Sequence, residues 1–169
     1  MGTGDTTYHL GLVRWGLQRL VEGCAELNCT DPGHDAWAPT LAQLTDFHVN
    51  ETTGGMMVAR NLSFSVSHRH FSHLFPCFPL GLINATDPRC TRGADQWYTA
   101  AMKGPWATPT TTGDWCLWSM AVLSSLSTLM GRRVEAWSNL TATVHDTVMP
   151  QMLPFGSALL SNTMYGEGW

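Results

Sequence analysis

Apolar residues recur at helical spacing along most of the chain. In residues 7–28 they fall three or four positions apart, at Leu10, Val13, Leu17, Leu20, Val21, Cys24 and Leu27. This spacing places them on one face of a helix, which ends before the turn sequence Asp31-Pro32-Gly33. Further helices are predicted over residues 36–47, 94–103, 114–130 and 133–148. The segment 114–130 is apolar on most faces, which is typical of a buried helix.

Residues 48–67 have a different pattern, because apolar and threonine residues typical of strands flank Gly54-Gly55. Such a pair of segments around a glycine turn predicts a small β-hairpin. Residues 105–113 are polar and are expected to form a loop, as are the last twenty residues. We therefore predict a mainly α protein of helical hairpins with a small inserted β-hairpin.

The composition limits the functional classes. Of the 169 residues, 44% are hydrophobic and 13% are charged, against about 25% charged in typical soluble domains. The chain is long enough for a single domain with its own core. The net charge is −4 and Lys and Arg do not cluster, which disfavours nucleic-acid binding. No run of 18 apolar residues occurs, so no membrane span is predicted.

Five of the six asparagines lie in Asn-x-Ser/Thr sequons: Asn28, Asn50, Asn61, Asn84 and Asn139. This pattern is typical of N-glycosylation at the surface of a secreted or luminal protein. The alternative is a coincidence in a chain rich in Thr. Met1 is not followed by a basic segment and then an apolar one, as a secretory leader would require. We therefore interpret residues 1–169 as an internal fragment of one domain, truncated at both ends.

The five cysteines fit an oxidising compartment, and none forms a Cys-x-x-Cys metal pair. Cys77 and Cys90 would close a short loop and are the preferred disulfide. Cys24 and Cys29 lie too close together along the predicted helix to make an obvious bridge. The odd cysteine predicts either a free thiol or a partner outside this chain.

The densest polar cluster is His68-Arg69-His70, followed by His73. Three His at this spacing could ligate zinc, although no carboxylate or Cys lies at ligand spacing and Arg69 places a cation among them. A second reading is structural, in which these side chains hydrogen-bond a loop to helix ends. The third is sugar binding, because Arg offers a rigid fork of donors and His both donates and accepts.

The segment His68-Arg69-His70-Phe71-Ser72-His73-Leu74, continuing to Pro79, resembles the HRHxSHLxxLYP signature of the family 95 glycoside hydrolases, the inverting α-L-fucosidases. Weaker similarities lie on either side, at residues 12–15, 113–118 and 129–136. The resemblance implies a partial (α/α)6 toroid with a central carbohydrate pocket. It also implies that Arg69 and His70 bind the substrate. It assigns no role to His68 and His73, which we expect to orient the loop. Cys77-Phe78 replaces the family's Leu-Tyr, so the sugar can differ from fucose.

An inverting glycosidase needs a general acid and a general base about 6.5–9.5 Å apart. The resemblance places the acid before Met1 and the base after Trp169, so no catalytic residue maps onto this chain. Glu167 is the one carboxylate that merits a direct test. We expect no cofactor and no metal, and we expect activity only in a longer parent protein. The alternative is a non-catalytic or degenerate toroid that binds carbohydrate. The sequence leaves the oligomeric state open.

Overall fold

The computed structural model describes residues 5–64, 70–103, 107–108, 111–112 and 117–142. Within these ranges the chain is mainly helical, as predicted. The helices are α1 (Thr7–Leu27), α2 (His34–Gln43), α3 (Pro88–Lys103), α4 (Leu117–Leu129) and α5 (Arg133–Ala142), with a short 3₁₀ helix at Ser72–Leu74. Two strands of two residues each, β1 (Ala107–Thr108) and β2 (Thr111–Thr112), pair antiparallel. None of the described helices combines the length and apolar character that crossing a membrane requires.

Helix α1 begins and ends at residues suited to those positions. The Thr6 side chain accepts a hydrogen bond of 3.2 Å from the backbone N–H of His9, which satisfies a donor at the helix start. Asn28 ends the helix in a left-handed conformation with φ 49°, which asparagine tolerates better than most residues. The predicted helix 7–28 is therefore confirmed to within one residue.

The prediction about Cys24 and Cys29 was wrong, because these two cysteines form a disulfide. The helix ends at Leu27, and the left-handed Asn28 turns the chain back on itself. This turn brings the two Cα atoms to 4.8 Å, within the ordinary range for a disulfide. The expectation took no account of this left-handed turn at the helix end.

Helix α2 packs on α1 but is shorter than the predicted 36–47. It ends at Gln43 because Leu44 is already extended, with ψ 130°. The guanidinium of Arg14 donates to the carbonyl oxygens of Leu44 and Thr45 at 3.3 and 3.0 Å. A tertiary contact with α1 therefore satisfies carbonyl groups at the helix end, where intrahelical partners are missing.

No regular strand forms in residues 48–64, where the sequence predicted a hairpin. Isolated antiparallel bridges join Val49 to Met56 and Ala59 to Leu62. Backbone pairing across the Gly54-Gly55 turn is limited to a few bonds, in which Asn50 donates to Gly55 at 2.9 Å and Met57 donates to His48 at 2.8 Å. Thr7 of α1 also binds this segment, donating from its N–H to Val58 at 2.9 Å and from its hydroxyl to Met57 at 2.6 Å. The small hairpin that does form, β1–β2, lies in the segment that was expected to be a polar loop.

Helix α3 begins six residues before the predicted start at 94. Asp87 accepts a hydrogen bond of 2.8 Å from the N–H of Arg89, and Pro88 occupies the first helical position. An acidic cap followed by proline is a recognised helix start, which apolar spacing alone does not reveal. The other predicted ends, at 114–116 and 143–148, lie outside the described residues.

The core lies between the start of α1, the loop 47–64, the 3₁₀ segment, α3 and α4. Its fully buried members include Met56, Leu74, Cys90, Trp97 and Leu126. Helix α5 packs on the adjacent α4. Arg132, in the turn between these two helices, holds the carboxylate of Asp95 on α3 through both of its terminal nitrogens.

Candidate functional site

The second half of the histidine motif is an anchor built into the core. Phe71, Leu74 and Cys77 are each at most 4% exposed. The backbone N–H of Leu74 donates to Phe71 at 2.7 Å, and that of Cys77 donates to Leu74 at 2.9 Å. These tight turns point successive apolar side chains inward. The segment 71–77 therefore fixes the position from which the preceding residues extend.

A disulfide joins Cys77 to Cys90, as predicted, and ties this anchor to the first turn of α3. A glycine on α3 makes the close packing possible. A β-carbon at Gly93 would lie 2.8 Å from Leu74 Cδ2 and 3.2 Å from the backbone nitrogen of Met56. The absence of a side chain at Gly93 therefore lets both the 3₁₀ segment and the loop 47–64 approach the helix.

His73 is buried, with 1% of its surface exposed, and stacks on Phe64 with a centroid separation of 4.6 Å and an interplanar angle of 18°. Neither ring nitrogen has a hydrogen-bond partner of normal geometry among the described residues. Burial disfavours the charged imidazolium and lowers the pKa of His73 to about 4. A backbone group of Gly93 opposes the shift without reaching hydrogen-bond geometry. His73 is thus a neutral core residue at neutral pH.

The two predicted substrate-binding residues lie at the other end of the motif. His70 is exposed, directly before the buried Phe71. Arg69 lies outside the described residues, as does His68. The motif therefore divides at Phe71 into an exposed histidine and a buried anchor.

A cluster of aromatic side chains packs against the anchor. Phe71 lies 5.3 Å from Phe75 and 5.4 Å from Trp97, measured between ring centroids, and Tyr8 on α1 contacts Phe75 edge-on at 5.2 Å. Trp97 is 0% exposed, so it packs the core and cannot stack on a sugar. The exposed tryptophans of the described chain are Trp15 and Trp137.

A polar groove of about 870 Å³ opens beside the loop 46–63 and was not expected from the sequence. The exposed carboxylates Asp46 and Glu51 line it, together with Arg60 and Arg89. Arg89 donates two hydrogen bonds to Asp87, at 3.1 and 3.0 Å, and this contact lowers the pKa of the Asp87 carboxyl. The groove offers many hydrogen-bonding groups, and its wall at Ser63 leads directly to Phe64 and the histidine motif.

Two further carboxylates, Glu51 and Glu135, lie in different surroundings. Glu51 is exposed in the groove. Glu135 lies in the first turn of α5, where a negative charge is favourable, and accepts a hydrogen bond of 2.8 Å from Ser127. Asp114 and Glu167 lie outside the described residues. In the part of the chain described, no three His, Cys, Asp or Glu side chains come together as metal ligands.

Comparisons of the chain with models of known protein families, with curated protein sequences and with solved structures give no match. The resemblance to family 95 glycoside hydrolases stays a prediction from the motif at residues 68–79 and its flanking segments.

Proposed function

We propose that this chain is part of a helical carbohydrate-active domain related to the inverting α-L-fucosidases. In this proposal the described helical pairs α1–α2 and α4–α5 are hairpins of a partial (α/α)6 toroid. Arg69 and His70 bind the sugar at the cleavage site, and the longer parent protein hydrolyses O-glycosidic bonds with inversion.

The observation that supports the proposal best is the division of the motif at Phe71. A segment that binds a ligand needs a rigid support, because a side chain placed loosely gains little from its contacts. Here Phe71, Leu74 and the Cys77–Cys90 disulfide fix the loop, while His70 next to them stays exposed. Arg and His are suited to vicinal hydroxyl groups because they donate in fixed directions.

Hydrolysis by inversion requires one carboxylic acid to protonate the leaving oxygen and one carboxylate to activate water. The described carboxylates near the motif have other roles: Asp87 caps α3 and pairs with Arg89. We propose that the acid and the base belong to the longer parent protein, as the resemblance to the inverting α-L-fucosidases implies. The isolated chain then binds sugar but does not turn it over.

We also propose that the protein works in the secretory pathway or outside the cell. Two disulfides, Cys24–Cys29 and Cys77–Cys90, support this assignment because such bonds persist in oxidising compartments. The five sequons support it independently.

The polar groove favours a second candidate, a carbohydrate-binding domain without catalysis. Its carboxylates Asp46 and Glu51 are both exposed, whereas the acid of a glycosidase is typically held in an apolar pocket. A groove of this kind can hydrogen-bond hydroxyl groups without cleaving a bond.

The test is a screen of the full-length parent against aryl glycosides, including the α-L-fucoside, with the product anomer followed by NMR. Immediate release of the inverted anomer supports the glycosidase. Arg69→Ala should lower kcat/KM by about 100-fold, because it removes donors aimed at the bound sugar. Arg19→Ala is the matched control, since Arg19 pairs with Glu22 on the surface of α1.

Turnover by residues 1–169 alone would contradict the assignment of the acid and base to the rest of the parent. Unchanged kcat/KM in Arg69→Ala would contradict the role of Arg69. Saturable glycan binding by the parent, with no turnover of any glycoside, would select the non-catalytic candidate.

A further inference from the structure

The five sequons occupy different local structures, although the sequence gives no reason to rank them. Four of them have Thr as the hydroxyl residue, and in three of these four the asparagine is not left-handed: Asn50-Glu51-Thr52, Asn84-Ala85-Thr86 and Asn139-Leu140-Thr141. Any difference among these three must therefore come from conformation and burial. This comparison rests on the proposed secretory localisation and not on the assignment as a glycosidase.

The sequon at Asn84 forms a compact, exposed turn. The Asn84 side-chain oxygen accepts two hydrogen bonds of 2.9 Å, one from the backbone N–H and one from the hydroxyl of Thr86. Asn84 and Thr86 are both exposed. Because these bonds span two residues, the turn can form before the rest of the chain folds. The amide and the hydroxyl that the modification requires are thus held side by side.

The sequon at Asn139 lies on helix α5, where residues two apart project from different faces. The hydroxyl of Thr141 donates back to the carbonyl oxygens of Trp137 and Ser138, at 2.9 and 3.0 Å. The Asn139 amide nitrogen itself is buried. A glycan attached to that nitrogen could not leave the protein surface without displacing the helix.

The sequon at Asn50 uses both ends of its amide to hold the loop 50–63. Its oxygen accepts from the N–H groups of Thr52 and Thr53 at 3.0 and 2.9 Å, and its nitrogen donates to the hydroxyl of Ser63 at 2.8 Å. Asn50 is half-buried. A glycan on this nitrogen would compete with the hydrogen bond from the same nitrogen to Ser63, which is the hydroxyl residue of the neighbouring sequon at Asn61.

We propose that Asn84 is the preferred N-glycosylation site of this protein and that Asn50 and Asn139 stay unmodified in the folded molecule. In the reaction the Asn84 amide nitrogen attacks the anomeric carbon of an oligosaccharide on a lipid-linked pyrophosphate. The new C–N bond replaces the sugar–phosphate C–O bond, the amide loses one proton, and the lipid pyrophosphate leaves. Molecules modified at Asn139 before folding cannot bury that nitrogen and do not reach the native state.

Asn28 and Asn61 are also exposed, but each occupies a left-handed position, with φ 49° and 60°. Cys29, the middle residue of the Asn28 sequon, is also held by the Cys24–Cys29 disulfide. The ranking therefore concerns the three Thr-containing sequons whose asparagine is not left-handed.

The test is expression of the chain behind a cleavable leader in a eukaryotic secretory host. The secreted, monodisperse protein is deglycosylated with peptide N-glycosidase in ¹⁸O water, and mass spectrometry measures the label at each Asn. We expect label at Asn84 and none at Asn50 or Asn139. Asn84→Gln should lower the mass of the intact protein by one glycan, whereas Asn139→Gln should leave it unchanged. Thr86→Ser should keep the Asn84 glycan and Thr86→Ala should abolish it.

Label at Asn139 equal to that at Asn84, or no label at Asn84, would overturn the proposal. Because the added leader directs the chain into the secretory pathway, this result does not depend on where the natural protein is located. It tests only which Asn is modified. Localisation is tested separately, on the natural protein from its own cells, by its gel shift after the same enzyme. The two proposals can therefore fail independently.

Discussion

The anchor at residues 71–77 and helix α5 contain comparable apolar residues but meet opposite surroundings. In the anchor, Phe71 and Leu74 are buried against α3 and Trp97. In α5, Val134 is 86% and Trp137 is 68% exposed, and the helix contacts α4 through small residues such as Ala136. Ser124 on α4 donates to the carbonyl oxygen of Ala136 at 2.8 Å. Apolar spacing therefore indicates which residues form a helix but not which of them reach the core.

Two tryptophans give the sharpest test of this difference. Trp97→Ala should lower the free energy of unfolding by about 3–5 kcal/mol, because it leaves a large cavity among Met56, Leu74 and Phe71. Trp137→Ala should change it by only about 0.5 kcal/mol, because that side chain is already mostly in water. Urea unfolding followed by circular dichroism measures both. Equal losses in the two variants would mean that α5 is as well packed as the anchor.

The buried imidazole of His73 makes the stability of the anchor depend on pH. Its pKa is lowered from 6.5 to about 4 in the folded protein, so the unfolded chain binds the proton first as the pH falls. Stability from this group is therefore complete above pH 6.5 and declines between pH 6.5 and 4, with no further loss below. At the usual 1.36 kcal/mol per pH unit, the decline totals about 3 kcal/mol.

His73→Phe is the variant that isolates this effect. It keeps an aromatic ring against Phe64 but removes the titrating group. The difference in unfolding free energy between the variant and the original protein should grow in favour of the variant as the pH falls from 6.5 to 4. His9→Phe, which removes an exposed imidazole on α1, is the matched control. A constant difference across this range would show that His73 titrates normally.

The two disulfides allow the stability of the anchor to be compared with that of the end of α1. Loss of Cys77–Cys90, which spans 13 residues within the anchor, should cost about 3 kcal/mol by loop entropy. Loss of Cys24–Cys29, which spans 5 residues, should cost about 2 kcal/mol. Paired Cys→Ser variants test these costs by denaturant unfolding.

Reduction should follow the same order. Cys29 is exposed, whereas Cys77 and Cys90 are buried, so a mild reductant should open Cys24–Cys29 first. Alkylation at timed intervals and peptide mass spectrometry record the order. Earlier labelling of Cys77 and Cys90 would mean that the anchor opens more readily than the end of α1.

Much of this fold could be predicted because its signals are local. The helix over 7–27 follows from apolar spacing, and the Cys77–Cys90 bridge follows from a short loop between two cysteines. The predictions failed where an element depends on contacts with residues that are distant in the sequence. The loop 48–64 has strand-like residues and turns at Gly54-Gly55, but its backbone also bonds to Thr7 of α1, and only isolated bridges form. Helix α2 ends at Gln43, where Arg14 of α1 binds the next carbonyl groups, and no pattern within α2 reveals this contact.

The candidate site was predictable to a smaller extent. The density of polar residues identified the histidine motif, but polarity alone could not separate the exposed His70 from the buried His73. That separation depends on packing against Phe64 and α3, which the polarity of the motif does not reveal. The groove beside Asp46 and Arg89 was missed because its walls come from two segments separated by the motif itself.

Gly93→Ala is expected to change the free energy of unfolding least. It also has the closest control, because other glycines lie within helices. Gly93→Ala places a β-carbon 2.8 Å from Leu74 and 3.2 Å from the backbone of Met56, so the anchor must move away from α3. We expect a loss of about 1–3 kcal/mol, as for other overpacked cores. Gly16→Ala on α1 meets no atom within 4 Å and should instead stabilise by about 0.5–1 kcal/mol, since alanine favours the helix. Opposite signs in urea unfolding would establish that the anchor depends on a missing side chain at Gly93. A gain in the free energy of unfolding in both variants would show that the contact between the anchor and α3 is loose enough to accept a methyl group. The anchor would then resemble α5 in its packing.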